Sequence, residues 1–310
     1  MKKILVTGAN GDIGEAVGRI LIDDFPNAEI NGADCAGDLP GSFIFKEMIA
    51  APPASDTKYE RIVNEWIKTY DLIIPTTEPE IKKIASLFQD NDCNPFLVLP
   101  RNILNIFFDK YETYHYLTSQ NLNPPMTKLL SESSEEDLPI YLKPKFGAGG
   151  KGNRVMSNKY DLLSAKLLPE EQWVVQELLT GKDNEYTCAI FKSDKFIETL
   201  QLKRELYGNR TGKAEVVNNM NIRKLLLRLA ESLDFVGCLN VQLKLTDNGP
   251  KIFEINPRIS STVMMRNRIG FKDCLWWIQS HLKLPLEKPK EIKVGTKIFR
   301  MANEYVFTPE

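Results

Sequence analysis

One stretch of this 310-residue chain has residue types and spacing suited to chemistry: GCLNVQLKLTDNGPKIFEINPR, which ends at Arg258. Polar and apolar residues alternate with period two on both arms, and Asn248-Gly249 supplies turn chemistry between them, so the spacing predicts a β-hairpin. Asn240, Gln242 and Lys244 share one face of the first arm, while Val241, Leu243 and Leu245 share the other. On the second arm Glu254 and Asn256 point one way, and Phe253 and Ile255 the other. Gln242 and Glu254 are equidistant from Asn248, which brings them close to cross-strand pairing. Gln242, Glu254 and Asn256 then form an oxygen-only set with one formal negative charge. Such a set suits Mg²⁺ that shares its shell with a substrate phosphate. Arg258 follows as a fixed forked cation within reach of the same phosphate. A solvated hairpin face shows the same alternation, but it needs no Pro257-Arg258 at its end.

A phosphate site elsewhere would support that reading, and Leu138–Arg154 (LPIYLKPKFGAGGKGNR) provides a candidate. A predicted strand carries Lys143, and the loop 146–152 holds Gly147, Gly149, Gly150 and Gly152. Glycines let backbone amides wrap phosphate oxygens, and Lys143 and Lys151 add charge. This is not a Walker loop, because Asn153-Arg154 follows Gly152 where Lys-Ser/Thr would stand. Downstream, WVVQELL is a buried strand ending in Gln176-Glu177, and NEYTCAIF is another that starts with Glu185. A strand edge with two acids can read a purine amino group and ribose hydroxyls. IETLQLKREL is a strand carrying Lys203-Arg204, YGNRTGKAEVV reads as a loop, and NIRKLLLRLAESLDF is an amphipathic helix.

The elements that must position these residues begin with KILVT, a buried-type strand running into Gly8-Ala-Asn-Gly-Asp-Ile-Gly14 and a helix to about Leu21. Strand 29–34 then ends in Asp34. This is the first crossover of an open α/β domain, and TGANGDIG resembles the fingerprint of short-chain dehydrogenases and nucleotide-sugar epimerases. Those enzymes need Tyr-x-x-x-Lys on one helix face. The only match, Tyr141 to Lys145, is interrupted by Pro144 and followed at once by FGAGG, so a helix interior is excluded. DLIIPTTEPE is a strand running into a polar turn, where Glu78, Glu80 and Asp12 are candidates to face a small substrate. PFLVLP is the last strand of a first domain ending near Pro100. A helix over 102–121 carries Asp109-Lys110, and SESSEED at 131–137 is a flexible connection or a helix start.

Forty basic against forty-one acidic residues give a net charge of −1, which argues against nucleic acid or an anionic membrane as main partner. Five scattered cysteines without a CxxC pair fit reduced thiols in a cytoplasmic protein. Only His115 and His281 occur, which leaves no histidine-based triad or histidine-rich metal site. The apolar start is too short for a signal peptide, and no run is long enough to span a membrane. Trp276-Trp277 suits either a core or an interface, and a homodimer is allowed.

Taken in order, Asp109-Lys110, YLKPKFGAGGKG, VVQELLTGKDNEYT, GCLNVQLKL and IFEINPR resemble the ATP-grasp superfamily. The likeness is to its carbamoyl-phosphate-synthetase-like and carboxylate–amine-ligase-like members, and it spans about residues 101–270. It implies an α/β and α+β fold. An N-terminal open parallel α/β (pre-ATP-grasp) domain, 1–100, would precede a two-lobed ATP-grasp domain, 101–310, with lobes 101–178 and 179–310. It also implies roles. Lys110 and Lys143 would contact nucleotide phosphates, Gly147, Gly149, Gly150 and Lys151 would belong to the mobile loop over the triphosphate, and Gln176, Glu177, Leu178 and Leu179 would bind the adenine edge. Glu185 would take the ribose. Gln242, Glu254 and Asn256 would carry one or two Mg²⁺ ions, with Mn²⁺ an acceptable substitute. Arg258 would stabilise the transferred phosphoryl group, and Arg204 would hold the acceptor's carboxylate. The implied reaction is ATP- and Mg-dependent ligation of a small-molecule carboxylate and an amine. No second ATP-grasp half and no biotin-carrier segment is expected. Two alternatives stand beside it: an NAD(P)-dependent dehydrogenase-like or epimerase enzyme using TGANGDIG, and an ATP-binding module without catalysis.

Overall fold

The computed structural model describes residues 2–36, 41–88, 95–147, 149–180 and 184–301. Ala148 of the glycine-rich loop, Gly181–Asp183 of the VVQELLTGKDNEYT motif, Cys93 and the last nine residues therefore lie outside the described residues.

The opening α/β unit forms as the alternation of short apolar runs and amphipathic helices requires. Strands β1 (Lys3–Thr7), β2 (Glu29–Asp34), β3 (Met48–Ala50) and β4 (Leu72–Pro75) make a parallel sheet in the order β3-β2-β1-β4. Helix α1 (Asp12–Asp24) connects β1 to β2, α2 (Tyr59–Thr69) connects β3 to β4, and α3 (Glu78–Leu87) follows β4. PFLVLP does not become a full strand; among the described residues its sheet pairing is a parallel bridge between Ile73 and Phe96. The glycines of TGANGDIG serve packing. A Cβ on Gly14 would stand 2.3 Å from the Gly8 carbonyl oxygen, and one on Gly8 would strike Thr76 and Thr77. Asp34 accepts hydrogen bonds from the Asn10 and Ala36 amides at 2.9 and 2.8 Å. The acid that a dinucleotide fold would turn toward a ribose is thus tied to this turn.

The expected helix over 102–121 is two helices, α4 (Arg101–Phe108) and α5 (Lys110–Ser119). The break falls at Asp109, which adopts extended dihedrals and accepts from the Tyr111 and Glu112 amides as the N-cap of α5. The break puts Lys110 at the start of a helix.

A small antiparallel sheet follows, built from β5 (Thr127–Leu129), β6 (Ile140–Pro144), β7 (Arg154–Met156) and β8 (Trp173–Glu177) in the order β5-β8-β6-β7. Helix α6 (Lys159–Ala165) packs on it, and its core is its own, centred on Leu130, Ile140, Leu142 and Val175. SESSEED forms two short 3₁₀ turns, one of them anchored by Lys128 on Asp137 at 2.6 Å.

The large sheet is antiparallel and six-stranded: β9 (Glu185–Lys192), β10 (Ile197–Tyr207), β11 (Arg210–Val217), β12 (Gly237–Thr246), β13 (Gly249–Asn256) and β14 (Lys297–Phe299), ordered β13-β12-β9-β10-β11-β14. YGNRTGKAEVV is therefore a hairpin arm and not a loop. Gly208 takes φ 58 at the tip, and Ala214 and Val216 alternate into the core. Helices α7 (Met220–Glu231), α8 (Val263–Arg268) and α9 (Asp273–His281) complete the chain, and one apolar core runs from Ile4 and Val6 through α4 and α5 to Val241 and Ile255. Trp276 and Trp277 belong to that core, being 1% and 4% exposed. No described helix is long and apolar enough to cross a membrane.

Candidate active site

The hairpin β12–β13 pairs Gln242 with Glu254 and Asn240 with Asn256. Its turn sits one residue earlier than the sequence suggests: Thr246 pairs with Gly249, which opens β13 at φ 93. The register then slips, because Leu243 pairs with Ile252 and leaves Phe253 as an extra residue. A bulge of this kind re-aims side chains. Phe253 faces the cleft beside Glu254, contrary to strict alternation, and the Lys143 ammonium lies 5.1 Å from its ring centroid.

The cleft holds about 930 Å³, at the upper end of the roughly 300–1,000 Å³ of small-molecule sites. The small sheet, the large sheet and the start of α1 all line it. One polar chain crosses its floor. Glu185 accepts from Arg204 Nε and Nη2 at 3.0 and 2.5 Å, and Arg204 Nη2 also donates to Gln242 Oε1 at 2.7 Å. Gln242 Nε2 and Asn256 Nδ2 both donate to Glu254 Oε1, at 3.2 and 3.0 Å, and Arg258 Nη2 reaches Asn256 Oδ1 at 3.3 Å. The residues expected to take ribose, metal and phosphoryl group therefore form one continuous network. Arg204 is not a free cation awaiting a carboxylate; it clamps Glu185 to Gln242.

Above this floor, Lys143 from β6 is 4% exposed and donates to Gln176 Oε1 at 2.6 Å, with Gln176 Nε2 on Thr127 at 3.1 Å. Burial pushes Lys143 down to about 8, against the pull of the Glu254 carboxylate. Burial also lowers Lys110, again opposed by Glu254, and its Nζ donates to the Gly147 carbonyl at 2.8 Å. Gly147, Gly149, Gly150 and Gly152 all have positive φ, and a Cβ on Gly147 or Gly149 would meet nothing within 4 Å. At Gly147 and Gly149 the glycine identity answers to backbone conformation and not to crowding. Gly149, Gly150 and Lys151 line the cleft.

Two of the remaining nucleotide candidates are held by lysines of the hairpin. Lys251 contacts both Glu177 oxygens at 2.6 Å, the Met126 amide donates to Glu177 Oε2 at 3.2 Å, and Lys244 donates to the Leu179 carbonyl at 3.0 Å. Leu178 lines the cleft beside them. Lys244 and Lys251 were not expected here, although Lys244 falls on the same predicted face as Gln242. Glu80 faces inward, bonded to Tyr59 and Thr77 at 3.1 and 2.7 Å, and burial raises its pKa. Glu78 pairs with Lys82 at 2.7 Å. Of the three acids proposed to face a substrate, only Asp12 lines the large cleft.

Sequence reasoning missed the device that holds the segment after Arg258. Arg266 donates to Ser260 Oγ at 2.7 Å and to Thr262 Oγ1, and its Nη2 pairs with Asp273 at 2.7 Å, both side chains being 2% exposed. Arg266→Met would leave Asp273 buried without its partner, and a loss of about 3–5 kcal/mol is expected in urea unfolding. Replacing both residues with apolar ones should recover much of that loss.

The donor set of the hairpin fits a hard cation. Among the described residues no group of three or more His, Cys, Asp or Glu gathers, and Glu254 has amide oxygens as its neighbours on the hairpin. The amide oxygens beside Glu254 are those of Asn256 and Gln242, which accept from Arg258 and Arg204.

The ATP-grasp domain family matches residues 107–262, half of the chain. The chain belongs to this ATP-grasp family. An uncharacterized protein of Mycoplasma genitalium is 27% identical over 192 residues, 58% of this chain and 64% of that protein, so the chain spans less than two thirds of this relative. Among solved structures, N5-carboxyaminoimidazole synthetase from Staphylococcus aureus complexed with ADP superposes with a TM-score of 0.76 at 18% identity, covering 96% of this chain and 80% of that one. An L-amino acid ligase from Bacillus licheniformis gives 0.69 at 16% identity, covering 91% and 74%. The fold is that of these proteins: a parallel α/β domain followed by the two antiparallel sheets of an ATP-grasp unit.

Proposed function

We propose that the protein is an ATP-dependent ligase that activates a carboxylate as an acyl phosphate for attack by an amine, releasing ADP and phosphate. The observation that carries this reading is the unbroken polar chain from Glu185 through Gln242, Glu254 and Asn256 to Arg258, set under two buried lysines and a glycine loop. The solved ADP complex of a protein with the same fold supports a nucleotide in this cleft.

Lys110 and Lys143 meet the phosphates, backbone amides of the loop 147–152 close over them, and the β8 edge at 176–179 receives the base. Glu254, Asn256 and Gln242 would hold Mg²⁺. When bound, the ion neutralises charge on the phosphates. Arg258 sits at the end of this row, where it stabilises the group in transfer. The terminal phosphoryl passes from ATP to the carboxylate oxygen, ADP leaves, and an amine then displaces phosphate from the acyl carbon. Positioning and fixed charge do the work, and no side-chain nucleophile is needed. Small molecules are the partners.

The buried lysine gives this reading a pH signature. Lys143 without ligand loses its proton through about pH 8, and a polyphosphate beside it would raise that value again. Nucleotide affinity should fall as pH rises through that point, with proton uptake on binding above it. Lys143→Met should remove the uptake, which calorimetry in buffers of different ionisation enthalpy reads directly.

Hydroxylamine trapping tests the reaction itself. With Mg-ATP and pools of carboxylates, ADP and a hydroxamate should form together. ADP release that ignores the carboxylate, with no hydroxamate, would reject the acyl-phosphate route.

A further inference from the structure

Lys82 takes no part in the polar chain, yet it brings the start of α3 against the glycine-rich loop. Its Nζ lies 2.7 Å from Glu78 Oε1. The same ammonium stands over two aromatic rings, 4.9 Å from the centroid of Phe108 and 5.0 Å from that of Phe146. A cation this close to ring faces is attracted by their quadrupoles. The two rings belong to different segments. Phe108 ends α4, two residues before Lys110, and Phe146 opens the loop that Gly147 continues.

These segments are already joined to each other. The Lys110 amide donates to the Lys145 carbonyl at 3.0 Å, Lys110 Nζ donates to the Gly147 carbonyl at 2.8 Å, and Lys145 pairs with Asp109 at 3.3 Å. Lys82 adds a tie from the opening α/β unit. Phe146 is 45% exposed, so apolar burial alone does not fix its ring. Lys82 and Lys145 lie over it instead, at 5.0 and 5.7 Å. Past Gly147 the steric support among the described residues falls away. A Cβ on Gly149 would meet nothing within 4 Å, and one on Gly150 would meet Asn153 at 3.7 Å. The course of the loop is therefore set where it begins, at Phe146 and Gly147.

We propose that Lys82 is a positioning residue: its ammonium, held between Phe108 and Phe146, fixes the start of the glycine loop so that the loop amides and Lys110 face the nucleotide phosphates. The inference rests on the nucleotide part of the ligase reading. It makes the opening α/β unit a contributor to nucleotide affinity through a side chain that acts on the loop and not on the nucleotide. A Lys82 that served its helix-surface ion pair with Glu78 and nothing else would leave the loop unaffected.

Two measurements on the full chain test this. One is calorimetric titration with a non-hydrolysable ATP analogue and Mg²⁺; the other is trypsin cleavage after the exposed Lys151 without nucleotide. Lys82→Met keeps the stem and removes the charge. It should weaken analogue binding about fivefold, the size of a partly exposed cation–π contact. Cleavage after Lys151 should become about threefold faster, with an unchanged melting temperature. Lys82→Arg keeps a cation over both rings and should stay within about twofold of wild type in both readouts. Phe146→Leu removes the ring and no charge, and should match Lys82→Met. Combining these two should cost little more than either alone, because both break one contact. Lys83→Met removes the neighbouring charge, which faces Glu60 at 3.8 Å, and should change neither readout. Full analogue affinity in Lys82→Met, additive losses in the double variant, or an equal loss in Lys83→Met would overturn the proposal. The two readings fail separately. Faster cleavage in Lys82→Met and Phe146→Leu, with no binding of the analogue by the wild type, would uphold the anchoring of the loop and reject the nucleotide reading. Analogue binding by the wild type, with affinity and cleavage unchanged in Lys82→Met, would do the reverse.

Discussion

Glu254→Ala is expected to lower Mg-ATP turnover by about 10³-fold or more, equivalent to about 4 kcal/mol of barrier, while the protein stays folded. Glu254 is the only carboxylate among the three proposed oxygen ligands of the hairpin, and both neighbouring amides donate to its Oε1. Without it, Gln242 and Asn256 are two neutral groups with no charge to hold a divalent cation. The fold should survive, because Glu254 is half-buried at the cleft wall, whereas Ile252 and Ile255 make the core contacts of that strand. Glu254→Gln keeps the shape and removes only the charge, so it should be nearly as inactive. The expected readout is a collapse of ADP formation with an unchanged circular dichroism spectrum. A Glu254→Ala protein with full activity would remove the metal assignment.

Arg258→Ala is expected to cost a similar factor, about 10³ in turnover, as seen for arginines that stabilise a phosphoryl group in transfer. Its guanidinium feels Glu78, Glu254 and Asp12, and burial holds its pKa below that of a free arginine without discharging it. Its hydrogen bonds to the Ile259 carbonyl and Asn256 Oδ1 fix the fork's direction. Lysine offers a point charge and no fork, so Arg258→Lys should recover little. The distinguishing feature is the split: turnover should fall while the nucleotide analogue still stabilises the variant. Equal loss of both would make Arg258 a ground-state binding residue instead.

Much of this site was legible in the sequence because a hairpin obeys simple rules. Period-two alternation and a turn at Asn248-Gly249 put Gln242 opposite Glu254, and the two do pair, because the earlier turn and the bulge at Phe253 offset each other. What escaped was whatever depends on a break in periodicity. The bulge at Phe253 turns an apparent core residue toward the cleft, and a single-residue insertion leaves no trace in the alternation itself. The break at Asp109 could have been read, since Asp followed by Lys-Tyr-Glu is an N-cap pattern, but the apolar spacing ran on through it. YGNRTGKAEVV looked like a loop because its glycines and cations outweigh Ala214 and Val216. Ion pairs such as Arg266 with Asp273, Lys251 with Glu177 and Arg204 with Glu185 were beyond reach. Their charges look solvated until the topology folds them inward.

The most direct test of the central claim is a thermal-shift comparison of the wild type and Glu254→Gln, each with a non-hydrolysable ATP analogue with and without Mg²⁺, and with NADH and NADPH. A ligand at about 100 times its Kd stabilises the native state by about 2.7 kcal/mol, which is several degrees for a domain of ordinary size. The account predicts a shift in the wild type that needs both Mg²⁺ and the ATP analogue, and loss of its Mg²⁺-dependence in Glu254→Gln. A shift with a nicotinamide nucleotide and none with the ATP analogue would contradict it, and would return the site to the glycine-rich turn at the start of the chain.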